Sequence, residues 1–303
     1  MKLNKLFLVF VICVLLLLAG GWWISRHRET DTAGDTVIIS ATFYPLAHFA
    51  QHVGGDLVSV HTIVPAGSEP HDFEPSPRDI AAIHNSQLFL VNGAGMDQWA
   101  QEQTAELEAA GVSVITMSNV LENDGQYVAS DPHFWLDPVL AQKEVRALAS
   151  ALVAVDPTHA ATYTQNSENY IAQLANLDQQ YQQSLQHCRI QDIVVSHDAF
   201  GYLARRYHFS IIPITGISPE EEPSPKTMGE IATLVQEKHI QYIFFETLVS
   251  PKLAETIARE VGAQTAILDP IEGVSADDQK NGKTYVSIME ENLQQLRNAM
   301  ACE

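Results

Sequence analysis

Cysteine is scarce in this chain of 303 residues. There are three, and no two of them form a CxxC pair, which argues against a cysteine metal site. Basic residues are also few: 17 Lys and Arg stand against 37 acids, for a formal net charge of -20. Lys2, Lys5, Arg26 and Arg28 precede the first acid, so the acidic excess belongs to the rest of the chain. Such a body repels nucleic acid and anionic lipid and attracts cations at long range. Acidity alone also serves solubility, so it adds weight to cation binding without establishing it. There is no short repeat, no low-complexity tract and no HExxH pair.

One apolar run, residues 6–24, carries no charge over 19 residues. That length falls between the core of a signal peptide and a membrane-spanning helix. Ala19, Gly20 and Gly21 supply small residues for a signal peptidase. Trp22 and Trp23, followed by Arg26 and Arg28, fit the outer interface of a retained anchor. Both readings stay open, and both place the body outside the cytoplasm, in a periplasm or on the outer face of the membrane. No cysteine follows the small residues, so a lipoprotein cleavage site is not expected. Residues 25–35 read as a polar linker. Cys13 lies in the apolar run, which leaves Cys188 and Cys302 in the exported body, where a disulfide can persist. Cys188 precedes the first strand of the second half, and Cys302 ends a helix that returns to the same edge. The two are therefore expected to bond.

The body has the size and the 46% hydrophobic content of a globular protein with two domains. Short apolar strands are expected at 37–42, 58–64, 88–92 and 112–116, with helices at 45–53, 79–85 and 97–110 between them. After a helix at 139–155, stopped by Asp156 and Pro157, residues 158–187 run without Gly or Pro. Tyr163, Tyr170, Leu174, Leu177, Tyr181 and Leu185 recur there at helical spacing, which predicts one long amphipathic helix. The alternation then resumes. Strands are expected at 193–196, 211–214, 242–246 and 265–268, and helices at 199–207, 226–238, 251–261 and 282–300. The fold class is α/β: two lobes, each a parallel sheet flanked by helices, joined by the long helix. The expected boundaries are 36–157, 158–187 and 188–303, after an N-terminal segment 1–24 and linker 25–35.

Four loop residues carry the chemistry. His71 lies in Glu69-Pro70-His71-Asp72, His133 in Asp131-Pro132-His133, His197 in Ser196-His197-Asp198, and Glu272 in Asp269-Pro270-Ile271-Glu272. Each follows an expected strand, and ligands of open parallel sheets bind beyond the carboxyl ends of strands. Two come from each half, so a metal held by all four would sit in the cleft between the lobes. Three imidazoles and one carboxylate suit zinc. Singly, His71 and His133 are as readily loop-stabilising residues, and Glu272 is more readily a solvated loop acid than a ligand; the joint pattern raises all of them. Asp269 rivals Glu272 for the fourth place. Asp72, Asp137 and Asp198 are expected to orient ligand imidazoles, with capping or turn formation as the alternative. Glu246 is a candidate for pairing across the interface, and Glu220, Glu221 and Glu222 for an exposed loop or docking surface. His48, His52, His84, His159, His208 and His239 read as surface or interface residues.

Together with Thr42-Phe43-Tyr44-Pro45 and Gly216-Ile217-Ser218-Pro219-Glu220-Glu221-Glu222-Pro223, these segments resemble the zinc/manganese family of ABC-importer solute-binding proteins. The resemblance runs from about residue 37 to 300. It implies a carrier that is no enzyme, captures metal in the cleft and hands it to a membrane permease, as a monomer without nucleic-acid partners. In that family the third ligand separates zinc binders, with His, from manganese binders, with Glu. His197 holds that place, so zinc is the expected cargo and Mn2+ the alternative. The Pro-Ile-Glu-Gly segment resembles carriers whose fourth ligand is Glu, which favours Glu272 over Asp269. Only His84 lies between His71 and His133, so no His-rich scavenging loop is expected, nor an appended zinc-chaperone domain after residue 303. A zinc hydrolase and a metal-dependent adhesin remain as competing classes. Against the hydrolase, a fourth ligand would close the shell that a catalytic zinc keeps open for water.

Overall fold

The computed structural model describes residues 36–303, and Val37–Glu303 form one compact unit. The apolar run 6–24, with its signal or anchor reading, lies outside the described residues. No helix among the described residues is long and apolar enough to cross a membrane.

The first half runs β1 (Val37–Ala41), α1 (Tyr44–Gly54), β2 (Val58–Thr62), α2 (Pro77–His84), β3 (Leu88–Val91), α3 (Gln98–Ala109), β4 (Ser113–Thr116) and α4 (Met117–Leu121). Its sheet is wholly parallel in the order β2-β1-β3-β4. Then come α5 (Pro138–Val155) and α6 (Ala160–Ser184). The second half runs β5 (Asp192–Val195), α7 (Gly201–Tyr207), β6 (Ser210–Pro213), α8 (Pro225–Glu237), β7 (Tyr242–Phe245), α9 (Lys252–Val261), β8 (Gln264–Ile267), α10 (Ala276–Lys280) and α11 (Tyr285–Ala299). Its sheet, β6-β5-β7-β8, is again parallel and repeats the strand order of the first. Each order reverses at one place, between β1 and β3 or between β5 and β7. Crevices at such places, beyond the strands' carboxyl ends, are the usual ligand sites of open α/β sheets.

Prolines and short polar caps set the helix starts. Asp137 accepts the N–H groups of Val139 and Leu140 just ahead of Pro138, the first residue of α5. Ser76 with Asp79 and Thr284 with Ser287 form reciprocal caps on α2 and α11. The long helix α6 has 25 residues, or about 37 Å at 1.5 Å per residue. Its Tyr163, Tyr170, Leu174, Leu177 and Tyr181 are buried, and it packs on α1, α5 and α11. One continuous apolar cluster runs from Val37 to Met300 through both halves. Smaller clusters lie under α8 and α9 and under α2 and α3. Cys188 and Cys302 are bonded, which ties the chain end to the segment leaving α6.

Three details differ from the sequence reading. The helix α4 was not expected. The helix expected at 282–300 starts only at Tyr285, behind its own Thr284 cap, and the separate short helix α10, which ends at Lys280 before Gly282 turns at φ 83, was not expected. The helix after His197 begins at Gly201, and Asp198 does not cap it.

Candidate metal centre

His71 sits in the loop after β2, where Pro65, Pro70 and Pro75 forbid helix and Gly67 turns at φ 80. Its backbone N–H donates to Glu69 Oε1. His133 precedes a single 3-10 turn, Phe134–Leu136, ahead of α5. Asn92, just beyond β3, donates its side-chain amide to the Pro132 carbonyl and so fixes that loop against the first sheet. His197 lies two residues beyond β5. Glu272 follows β8 through a tight turn in which Ile271 has φ 59 and donates its N–H to Asp269. The Trp135 indole N–H reaches across to the Pro270 carbonyl and braces the turn against the loop of the first half.

Four ligand atoms converge. His71 Nε2 lies 3.2 Å from His133 Nε2 and 3.3 Å from Glu272 Oε1. His197 Nε2 lies 3.2 Å from His133 Nε2 and 3.1 Å from Glu272 Oε1. His133 Nε2 is 3.2 Å from the same carboxylate oxygen, and all four atoms lie within 4.8 Å of one another. Four donors placed tetrahedrally at the Zn–N distance of about 2.0 Å are about 3.3 Å apart. His133, His197 and Glu272 are fully buried, and His71 nearly so.

Two carboxylates settle which way the imidazoles present themselves. His133 Nδ1 is 3.0 Å from Asp131 Oδ1, and His197 Nδ1 is 2.7 Å from Glu246 Oε1. An imidazole facing a carboxylate through Nδ1 carries its proton there and turns the lone pair of Nε2 toward the common point. The pocket consequently favours positive charge. Burial opposes ionisation of Glu272, but His197 and His133 hold its carboxyl well below the usual range. Burial likewise lowers His197, yet Glu272 and Glu246 outweigh it and raise the imidazole well above its ordinary value. Glu69 is pushed up to about 9 by burial and by the charge of Glu272. A pocket this short of positive charge takes up protons when no cation occupies it, and a divalent ion displaces them.

All four ligand candidates read from the sequence are thus brought to one point. Asp269 is not among them. It accepts the Ile271 N–H and the Thr247 hydroxyl and belongs to the turn. The imidazole-orienting acids expected at Asp72, Asp137 and Asp198 are not in that role. Asp137 caps α5 and takes a two-pronged ion pair from Arg206, because the Pro after it puts it at a helix start. The acids in that role are Asp131 and Glu246. Asp131 accepts both the backbone and the ring N–H of His133, two residues on, a turn whose Asp-x-His spacing was there to be read. Glu246 was expected to bridge the interface and instead serves His197 of its own half. Nothing in the sequence links residues 49 apart. Glu220, Glu221 and Glu222 are exposed.

The family model for zinc-uptake complex component A, periplasmic, matches residues 39–299. The chain belongs to that family. It is 35% identical to the high-affinity zinc uptake system protein ZnuA of Bacillus subtilis over 99% of this chain and 98% of that one. The chain spans 59% of the length of the zinc-binding lipoprotein AdcA of Streptococcus pneumoniae, at 33% identity. Among solved structures, the Zn(II)-bound ZnuA-like domain of AdcA from Streptococcus pneumoniae superposes with a TM-score of 0.77 at 34% identity. The match covers 88% of this chain and 99% of that one. The laminin-binding protein Lmb of Streptococcus agalactiae, described as an adhesin with metal-transporting activity, gives 0.80 at 34% identity, covering 87% and 99%.

Proposed function

We propose that this protein is the zinc-binding component of an ABC importer, which captures Zn2+ outside the cytoplasm and delivers it to a membrane permease. The observation that carries the reading is the convergence of three imidazole nitrogens and one carboxylate oxygen, all within 4.8 Å of one another and five of the six pairs at 3.1–3.3 Å. His71, His133, His197 and Glu272 are the ligands. Asp131 and Glu246 fix two of the imidazoles for binding. The donor set is rich in nitrogen, which selects zinc over manganese, whose sites are richer in oxygen. Four protein ligands leave no place for a catalytic water, so the protein is a carrier and not a hydrolase.

The test is metal competition on the purified protein and on His197→Glu. The parent prefers zinc, and the variant shifts toward manganese. Identical zinc and manganese profiles for the two proteins would remove His197 from the site. A second reading, adhesion, is favoured by the likeness to the laminin-binding protein. Laminin binding by the zinc-loaded protein, measured on an immobilised layer, checks it.

A further inference from the structure

Asp131 uses one carboxylate oxygen twice. Oδ1 accepts the His133 backbone N–H at 3.1 Å and the ring Nδ1 at 3.0 Å. Only Oδ2 is left, and what it faces comes from the other half of the molecule. Arg205 Nη2 on α7 is 3.6 Å away. Gly201, the first residue of α7, lies so close that a Cβ there would stand 2.8 Å from Oδ2 and 3.2 Å from Arg205 Nη1. Between them, Tyr202 accepts the Val128 N–H at 2.8 Å and turns its hydroxyl to the carbonyls of Val128 and Asp131. The Arg205 guanidinium lies over the Tyr202 ring, 4.5 Å from its centre.

We propose that Gly201 and Arg205 are positioning residues that set His133 from across the interface, by confining the Asp131 carboxylate that orients its ring. The proposal rests on the zinc reading above. Gly201 serves by having no side chain. Its φ is not in the left-handed region that favours glycine, so the constraint is space and not backbone conformation. Any Cβ pushes Oδ2 aside, and Oδ1 with the His133 ring must follow, since both oxygens ride on one rigid carboxylate. Arg205 supplies the opposing charge. A half-exposed pair at this distance adds little to stability, so its effect falls on the orientation of the carboxylate. The arrangement also joins the halves at the site: the helix that follows His197 sets the position of His133.

Zinc affinity is measured by chelator competition on the full chain, beside the thermal unfolding of the metal-free protein. Gly201→Ala should weaken zinc on the order of 10- to 100-fold, the usual effect of disturbing a group that orients a ligand. Unfolding should not suffer, because Ala is the better helix former. The visible spectrum of cobalt(II) bound in place of zinc should change with it. In an Asp131→Ala background the same substitution should add nothing, because its route is gone. Arg205→Ala should weaken zinc, and Arg205→Lys should recover part of the loss. Zinc binding by Gly201→Ala equal to the parent's, or a loss that adds in full to that of Asp131→Ala, would overturn the role of Gly201. Parent-like binding by Arg205→Ala would overturn that of Arg205. If Gly201→Ala does not fold, the two Arg205 variants decide whether the helix acts on His133. Failure of the zinc reading looks different: the parent itself would bind no zinc.

Discussion

Ile271 carries Glu272 into the cluster on a left-handed backbone, at φ 59 and fully buried. A β-branched residue holds that conformation only where its surroundings impose it, at a cost of about 1–3 kcal/mol. The Asp269 carboxylate on its N–H and the Trp135 indole on the Pro270 carbonyl are what impose it. Two carboxylates so close in sequence therefore have different duties, and substitution separates them. Glu272→Ala removes a ligand and should weaken zinc steeply, with the fold intact. Asp269→Ala disturbs only the turn and should cost on the order of 10-fold. Zinc titration of both by chelator competition checks the order; the reverse order would assign the ligand to Asp269. A second residue sets an acid limit on the metal-free protein. His48 lies between the hydroxyls of Tyr44 and Tyr170, beside His52 and the Tyr285 ring. Burial, then the neighbouring His52, pushes it down to about 3. The unfolded chain protonates this imidazole near its ordinary value of about 6.5, the folded chain far lower. Its contribution to stability is therefore present above about pH 6.5 and lost as pH falls toward 3, at up to about 1.4 kcal/mol per pH unit. Unfolding temperatures between pH 7 and 4 should fall less steeply for His48→Gln than for the parent.

The strands and long helices were legible because each carries its own pattern. Residues 88–91 are a short apolar run, and the tyrosines and leucines of α6 recur at helical spacing. The candidate ligands were legible for a related reason: each is marked by neighbouring prolines or acids in a loop, and His197 and Glu272 lie close behind strands, although α4 intervenes between β4 and His133. What escaped the reading depends on contacts made only in the folded chain. Glu246 reaches His197 because β7 lies beside β5 in the sheet. The helix α4 has five residues, too few to show a period. The Cys188–Cys302 bond was legible at the level of topology, since α11 returns to the edge where β5 begins. It closes a sequence separation of 114 residues. The Cys188→Ser, Cys302→Ser protein should therefore lose about 2–5 kcal/mol of stability, by denaturant unfolding. Its zinc affinity should be unchanged, because the bond lies at the opposite end of the second sheet from the site.

At the scale of the whole molecule, two sheets with the same strand order present their carboxyl ends to one another and supply two ligands each. The acidic chain attracts cations at long range, and one apolar cluster runs through both halves around the site. Three of the four candidate ligands are buried and His71 nearly so, so a zinc ion bound there would meet groups that are already assembled and mostly dry. The measurement that tests this most directly is metal analysis of the purified protein after exposure to an equimolar mixture of zinc and manganese, followed by gel filtration. The parent should retain one zinc per chain and little manganese, and a His133→Ala, His197→Ala protein should retain neither. A parent that emerges without zinc, or a doubly substituted protein that still carries one zinc per chain, would contradict a zinc site built from these residues.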